Sequence, residues 1–266
     1  MDVSEILEDL IAEQQSLDDV VAHLTIEQWG LATPSPGWSV ADQIAHLTYF
    51  DGTAGLAIEN PQGFRDTAEE LVELMSSSDA SAMDDLLLNH YRSISTEALI
   101  AQWRANRSAL AKVASKLDND TRVEWYGPSM GAKSFLTARL MEAWAHGQDI
   151  VDALGVERTP TDRLRHIAQL GYITRGWTYI NRGMDVPDTP VRVELTSPSG
   201  EKWSFGPDDA TESIVGSAED FCLVTTQRRH VDDTALVVTG TSARGWMEKA
   251  QLFAGPATDG PAASAG

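Results

Sequence analysis

The sequence predicts an α+β fold in which a helical bundle precedes a small domain of mixed strands and helices. Up to residue 183, apolar residues recur mostly at three- and four-residue steps, as on the buried face of amphipathic helices. After Gly183, prolines punctuate the chain and short stretches alternate between apolar and polar residues, as strands do. We therefore divide the chain into a helical bundle (1–183), a small α+β domain (184–254) and a disordered tail (255–266) rich in Pro, Gly and Ala.

The bundle is predicted to contain five main helices. Ser39 is a suitable N-cap for the second helix, and Gly155 lies where a helix C-terminal glycine belongs. The stretch from Asn60 to Met83 has little periodicity, so we expect it to be only partly helical. The predicted helices span residues 3–24, 39–58, 95–117, 134–154 and 161–181.

The C-terminal domain is predicted to begin with a hairpin. The stretches 191–195 and 202–205 alternate on either side of the turn Ser197-Pro-Ser-Gly200. A short strand (213–215), a helix that begins at a capping-box sequence (217–229), a strand (234–239) and a last helix (242–253) follow.

Composition narrows the classes of function. The formal net charge of −20 disfavours binding to nucleic acid phosphates or anionic membranes. Cys222 is the only cysteine, which excludes an intrachain disulfide, and its apolar neighbours favour a buried structural thiol. The acidic N-terminus does not resemble a signal peptide, and no apolar run reaches membrane-spanning length, so we expect a soluble cytoplasmic protein.

Glu142 and His146 form the most informative pair in the sequence. They are four residues apart on a predicted helix, so both side chains lie on one face, where they can bind one divalent metal ion. The alternative is a solvated Glu–His pair that stabilises an exposed helix by a few tenths of a kcal/mol, roughly 0.2–0.5. Spacing alone does not decide between these interpretations, because this pattern often arises by chance.

His46 is the candidate third ligand. It lies beside the apolar stripe of its helix, which is equally compatible with a partly buried structural histidine. Asp149 follows His146 by three residues, so it either orients a ligand imidazole or is merely solvated. Three protein ligands would leave a coordination position open for water or substrate, as in catalytic metal sites. A fourth ligand, such as Asp42, Asp149 or another histidine, would favour a structural site.

Arg228 and Arg229 form a second candidate site, near the end of a predicted helix. In an acidic chain, a pair of arginines can bind a carboxylate or phosphate in bidentate fashion. The alternative is that both cap the helix and form surface ion pairs.

Three stretches resemble the mycothiol-dependent maleylpyruvate isomerase-like proteins of the DinB-like superfamily. They are Gly37-Trp-Ser-Val-Ala-Asp-Gln-Ile-Ala-His46, Arg139-Leu-Met-Glu-Ala-Trp-Ala-His146 and Asp220-Phe-Cys-Leu-Val-Thr-Thr-Gln-Arg-Arg-His230. The resemblance covers nearly the whole chain. It implies a DinB-like four-helix bundle followed by a small α/β domain, with the metal held by His46, Glu142 and His146. It also implies that Arg228 or Arg229 helps to bind an anionic thiol or substrate.

The function implied is that of a metal-dependent enzyme of small-molecule metabolism that uses a thiol such as mycothiol for isomerisation or transfer. Zinc is the expected metal, although these ligands also suit nickel, iron and manganese. Beyond the metal site, no catalytic residue is assigned. The alternatives are a metal-dependent hydrolase and a binding protein that holds a metabolite without converting it. The substrate is expected to be small and anionic, and the sequence does not specify the oligomeric state.

Overall fold

The computed structural model describes residues 2–77 and 80–264, and for residues 70, 73–77 and 80–85 it describes the backbone alone. The chain divides into two compact units, residues 1–157 and 158–266. Ser78, in the stretch predicted to be partly helical, lies outside the described residues. Within them, no helix combines the length and the apolar composition that a membrane crossing requires.

In its described residues, the first unit consists of helices, their connecting loops and a very short hairpin. Its strands are β1 (Arg122–Val123) and β2 (Met130–Gly131), which pair antiparallel. Its helices are α1 (Val3–Val21), α2 (Ile26–Trp29), α3 (Val40–Glu59), α4 (Pro61–Ser77), α5 (Ala80–Arg92), α6 (Thr96–Ala114) and α7 (Ala132–Leu154). The long helices α1, α3, α6 and α7 form the predicted bundle: α3 packs against α6 and α7, and α1 packs against the same two helices.

The two helices that will carry the candidate site, α3 and α7, are fixed by local and core interactions. Ser39 caps α3 through a capping box with Asp42, as the sequence predicts. Gly155 ends α7 at φ 64°, a left-handed conformation that glycine adopts without steric cost. The buried faces contribute Ile44 of α3 and Ile150 of α7 to a common core. The site is therefore built on rigid elements.

A buried carboxylate, Asp51, joins three of these helices. Its Oδ2 accepts hydrogen bonds from Gln14 Nε2 of α1 (2.9 Å) and Trp103 Nε1 of α6 (3.2 Å). Burial raises the pKa of Asp51 to about 6, although the charge of Arg139 and the two hydrogen bonds oppose the increase. The ionised form is thus disfavoured in the folded state.

We expect Asp51→Asn to stabilise the protein at pH 7 and above, by up to about 3 kcal/mol, with the gain shrinking as the pH falls. The sign of this change follows from the folded-state pKa, which lies above the ordinary value. Lowering the pH through about 6 protonates Asp51 in the parent and removes the free-energy cost of burying its charge. Urea unfolding of both proteins in EDTA, from pH 4.5 to 8, measures the difference. Other groups, such as His46, titrate in both proteins, so their contributions cancel in the difference between the two unfolding free energies. A difference that does not change with pH would contradict the assignment.

The second unit holds a four-stranded mixed sheet and four helices. Its elements are α8 (Leu164–Ile173), α9 (Arg175–Ile180), β3 (Val191–Thr196), β4 (Lys202–Phe205), β5 (Glu212–Ser217), α10 (Ala218–Thr225), β6 (Val237–Thr239) and α11 (Thr241–Met247) in the described residues. The strand order is β4-β3-β5-β6. The pair β3–β4 is the predicted antiparallel hairpin, while β5 runs parallel to β3 and antiparallel to β6. A short 3₁₀ turn, Val231–Asp233, precedes β6.

The division between the units falls earlier than the predicted boundary at residues 183 and 184. The single helix predicted for 161–181 is two helices separated at Thr174, and α8 packs on α10 and β4 of the second unit. Gly171 allows the close approach to α10, because a Cβ there would lie 3.1 Å from Phe221 and 3.0 Å from Thr225. Periodicity identified the helical character of 161–181 but not the elements of the second unit, α10 and β4, on which α8 packs.

Two further expectations for this unit can be compared with the structure. Cys222 is fully buried, and burial raises the pKa of its thiol well above the ordinary value, as expected of a structural cysteine. The tail from residue 255 is predicted to be disordered, yet its described part is hydrogen-bonded to the unit. Thr258 O accepts from Gln227 Nε2 (2.7 Å), and Ser264 N donates to Asp233 (3.0 Å). Long-range polar contacts of this kind leave no local sequence pattern.

Candidate metal centre

The structure brings together the three predicted ligands, His46, Glu142 and His146. Glu142 Oε2 lies 3.4 Å from His46 Nε2 and 3.1 Å from His146 Nε2. The two imidazole centroids are 4.2 Å apart, and the candidate ligand atoms all lie within 4.8 Å of one another. Residues 46 and 142 come from α3 and α7, which pack directly against each other.

The dimensions of this cluster fit a small divalent cation. Tetrahedral zinc with ligand bonds of about 2.0–2.1 Å holds its ligand atoms roughly 3.3 Å apart. Both Nε2–Oε2 separations, 3.4 and 3.1 Å, are close to that value. Two imidazole nitrogens and one carboxylate oxygen are also a donor set that zinc accepts.

The protonation states also suit metal binding. Burial, followed by the neighbouring His146, lowers the pKa of His46 to about 4, so its imidazole is neutral at pH 7. Burial alone would raise the pKa of Glu142, but its close contacts with His146 and His46 and the charge of Arg139 hold it well below its ordinary value. A metal ligand must present a lone pair, and both groups do so at neutral pH.

Gln43 determines which nitrogen of His146 faces the cluster. Thr33 Oγ1 donates to the backbone oxygen of Trp38 (3.0 Å), so it accepts the hydrogen bond from Gln43 Nε2 (2.8 Å). That bond orients the Gln43 amide with Oε1 toward His146 Nδ1, at 2.5 Å. Because a carbonyl oxygen only accepts, Nδ1 carries the proton and Nε2 keeps its lone pair for the cluster.

Gln43 thus makes a contact with a candidate ligand imidazole of the kind expected of Asp149. Asp149 Oδ2 accepts a hydrogen bond from Ser35 Oγ (3.2 Å), and a role for Asp149 in orienting a ligand stays a prediction. The signal for Gln43 is present in the sequence, since this residue precedes His46 by three and shares its helix face. Recognising it requires knowing that α3 packs against α7, which spacing does not reveal.

Aromatic rings surround the two imidazoles. The Trp38 ring stacks on His146 (6.0 Å between centroids, 16° between planes) and lies 5.3 Å from His46. The Phe50 ring centroid lies 4.6 Å from that of His46. Such walls restrict water and fix the imidazole orientations, while the Glu142 side chain remains 19% exposed.

The candidate centre has three protein ligands within the described part of the chain. No other His, Cys, Asp or Glu there joins the group. Asp42, one of the possible fourth ligands, caps α3 through Ser39 and accepts a hydrogen bond from Arg92 Nε (2.7 Å). Three ligands leave room for a further molecule at the ion, which is the arrangement of catalytic sites.

The two C-terminal arginines belong to the second unit. Their backbone N–H groups both donate to Leu223 O, just after α10, at 2.7 Å for Arg228 and 3.2 Å for Arg229. Their guanidinium groups donate to Thr226 O and Arg228 O, both at 2.7 Å. These contacts resemble the helix-capping alternative, and the role in anion binding stays a prediction.

Comparison with known proteins adds family and fold. The family model of the mycothiol maleylpyruvate isomerase N-terminal domain matches residues 10–151, and that of wyosine base formation matches residues 187–239. Two uncharacterized proteins of Mycobacterium tuberculosis, from strains CDC 1551 / Oshkosh and ATCC 25618 / H37Rv, are each 42% identical over 248 residues. Each match covers 93% of this chain and 95% of the relative.

Two solved structures share the fold. The crystal structure of mycothiol-dependent maleylpyruvate isomerase aligns with a TM-score of 0.57 at 14% identity, covering 90% of this chain and 93% of that one. A histidine-to-alanine mutant of that isomerase aligns with a TM-score of 0.58 at 15% identity, covering 98% and 97%. At this identity the likeness establishes the common fold.

Proposed function

Because the chain belongs to the mycothiol maleylpyruvate isomerase N-terminal domain family, we propose that it is a metal-dependent enzyme that uses a small thiol to isomerise or modify an electrophilic metabolite. The observation that carries this proposal is the buried cluster of His46, Glu142 and His146, with three donors and no fourth protein ligand among the described residues. The relation to the isomerase supports the choice of a thiol, and zinc is the metal that we expect.

A divalent ion held by these residues would lower the pKa of a thiol or water that contacts it, giving a nucleophile at neutral pH. The chain's own residues prepare for this. The neutral His46 and ionised Glu142 present lone pairs without first losing protons. The hydrogen bond from His146 to Gln43 fixes the imidazole, and the ring of Trp38 covers it.

The reaction is balanced without an oxidant or reductant. A thiolate adds to an electron-poor carbon–carbon double bond, forming a carbon–sulfur bond and a carbanion that the neighbouring carbonyl stabilises. Rotation about the resulting single bond and expulsion of the same thiolate give the isomerised double bond. If a proton is captured before expulsion, the product is a thiol conjugate, so one site serves both reaction types.

An activity assay with defined components tests the proposal. Zinc-loaded protein is incubated with mycothiol and maleylpyruvate, and then with other unsaturated acids, and isomerisation is followed by ultraviolet absorbance. We expect turnover that requires both thiol and metal and that Glu142→Ala abolishes. Tight binding of these acids with no turnover, with or without thiol, would contradict an enzyme and favour a binding protein. Products of water addition and bond cleavage that form without thiol would favour a hydrolase.

We also propose that Arg228 or Arg229 binds an anionic group of the substrate or thiol. The support is a pair of arginines in a chain of net charge −20. Losing such a contact typically costs about 2–5 kcal/mol. We expect one of Arg228→Ala and Arg229→Ala to raise KM more than it lowers kcat, because the contact stabilises ground and transition states alike. Unchanged kinetics for both variants would assign both side chains to helix capping.

A further inference from the structure

Arg139 is a buried cation beside the candidate metal centre whose hydrogen-bonding capacity is not used. Its side chain is 6% exposed, and among the described residues its Nη1 has no hydrogen-bond partner. Its Nη2 lies 3.9 Å from Glu142 Oε1, which is too long for a hydrogen bond. A buried donor without a partner is costly, so such a group in a folded protein calls for an explanation.

The neighbours of Arg139 hold the guanidinium in place without satisfying it. Its Cζ lies 5.3 Å from the centroid of the Trp125 ring and 5.6 Å from that of Phe50. Both rings attract a cation through their π faces, and neither offers a strong acceptor. Phe50 also contacts His46, so the guanidinium and the candidate ligand share one aromatic wall.

The local charge favours an anion. Imidazoles bind a metal as neutral ligands, so a divalent ion, Glu142 and Arg139 together would carry +2 − 1 + 1 = +2. Counting the carboxylate of Asp51, whose ionised form the charge of Arg139 favours, reduces this to +1. An anionic molecule bound at the ion would neutralise this excess in an environment where water screens little. A carboxylate also matches the planar donor geometry of a guanidinium.

We propose that Arg139 is a ligand-binding residue, and that its guanidinium holds the carboxylate of a small molecule that occupies the open side of the metal centre. This inference rests on the proposed function and narrows its substrate class to small carboxylic acids, or to thiols that carry a carboxylate. It places an anion-binding group in the first unit, in addition to the arginines proposed in the second.

The stability of an Arg139 variant separates ligand binding from a structural role. If the guanidinium is retained for a ligand, Arg139→Met removes a buried Nη1 donor that has no partner and keeps the contacts with the aromatic rings, since a thioether packs well against them. The charge of Arg139 also favours the ionised forms of Glu142 and Asp51, so the comparison is made on zinc-loaded protein, where the ion balances both carboxylates. We therefore expect the zinc-loaded, ligand-free variant to be at least as heat-stable as the parent. Zinc affinity should hold or increase, because a positive charge beside the ion is removed.

Binding measurements decide the proposal. Calorimetric titrations use succinate, 3-mercaptopropionate and the carboxylate-free thiol 2-mercaptoethanol, with parent, Arg139→Met and Arg139→Lys, each zinc-loaded and zinc-free. We expect Arg139→Met to weaken succinate or 3-mercaptopropionate by roughly 30-fold or more, which corresponds to about 2 kcal/mol, and to leave 2-mercaptoethanol unchanged. Arg139→Lys keeps the charge but loses the planar pair of donors, so its carboxylate affinity should lie between those of the parent and Arg139→Met. Weakening of succinate identifies a substrate acid, and weakening of 3-mercaptopropionate alone identifies a carboxylated thiol.

Arg65→Gln serves as the matched arginine control for charge, because Arg65 belongs to the first unit, is 50% exposed and pairs with Glu124. Equal affinity of the parent and Arg139→Met for both carboxylates would overturn the proposal. If the melting temperature of Arg139→Met is also lower, the role of Arg139 is structural. The ratio of carboxylate affinity between the parent and Arg139→Met is also measured without zinc. A protein that fails to retain zinc would therefore contradict the proposed function while the Arg139 ratio still gives its own answer.

Discussion

Replacing Glu142 with alanine is expected to abolish stoichiometric metal binding and to leave the bundle folded. Glu142 Oε2 contacts both candidate ligand nitrogens, so its loss removes the anionic member of a three-donor site. The core does not depend on it: Trp103, Ile44 and Leu47 are at most 1% exposed, and none of them belongs to the cluster. Elemental analysis of protein purified without chelator and far-ultraviolet circular dichroism measure the two effects. His146→Ala should behave in the same way.

A carboxylate outside the cluster provides the control. Glu124 belongs to the first unit and forms a long ion pair with Arg65 (3.7 Å), with 43% of its side chain exposed. Glu124→Ala should keep the metal content of the parent. We also expect the parent to remain helical after chelation and to gain thermal stability when metal returns, since binding to the folded state alone stabilises it. Full metal content in both Glu142→Ala and His146→Ala would show that the metal is bound elsewhere in the molecule.

Replacing Gln43 with leucine is expected to weaken metal binding by about 10–100-fold, the usual effect of losing the partner of a ligand histidine. Gln43 is fully buried, and its hydrogen bond to His146 Nδ1 selects the tautomer that presents Nε2 to the cluster. Leucine has a similar volume, so the packing is largely conserved while the acceptor is lost. Competition with a zinc chelator of known affinity measures the change.

Two further variants make the interpretation specific. Gln43→Glu keeps an acceptor opposite His146 Nδ1 and should retain metal affinity close to that of the parent, a rescue that mere packing would not produce. Asp149→Asn should change metal affinity little, because Asp149 Oδ2 is bonded to Ser35. Loss of affinity in Asp149→Asn with none in Gln43→Leu would reverse the assignment of the two residues.

Local signals in the sequence were sufficient for much of the fold. Ser39 and Gly155 mark the ends of α3 and α7, because capping depends on residues within one turn. The hairpin of β3 and β4 follows from alternation around a turn. The parallel pairing of β3 with β5 was not predicted, because it joins segments that have no local relationship along the chain.

Local spacing was also sufficient to predict part of the candidate site. Glu142 and His146 are neighbours on one helix, so spacing places them together. His46 joined them through a resemblance, since its position beside an apolar stripe fits either role. Gln43 and Arg139 were missed as functional residues because their importance depends on the surroundings that other parts of the chain provide. The Gln43 amide is hydrogen-bonded to tertiary partners, whereas the buried Nη1 of Arg139 has no hydrogen-bond partner among the described residues.

The most direct test of the metal centre is anomalous diffraction from crystals of the zinc-loaded protein, with data on both sides of the zinc absorption edge. A bound ion at the proposed centre predicts one strong difference peak about 2.0–2.2 Å from His46 Nε2, His146 Nε2 and a Glu142 carboxylate oxygen. That peak should be absent from crystals of Glu142→Ala. A stoichiometric zinc peak elsewhere in the molecule, or no peak at these three residues in zinc-loaded crystals, would contradict the assignment.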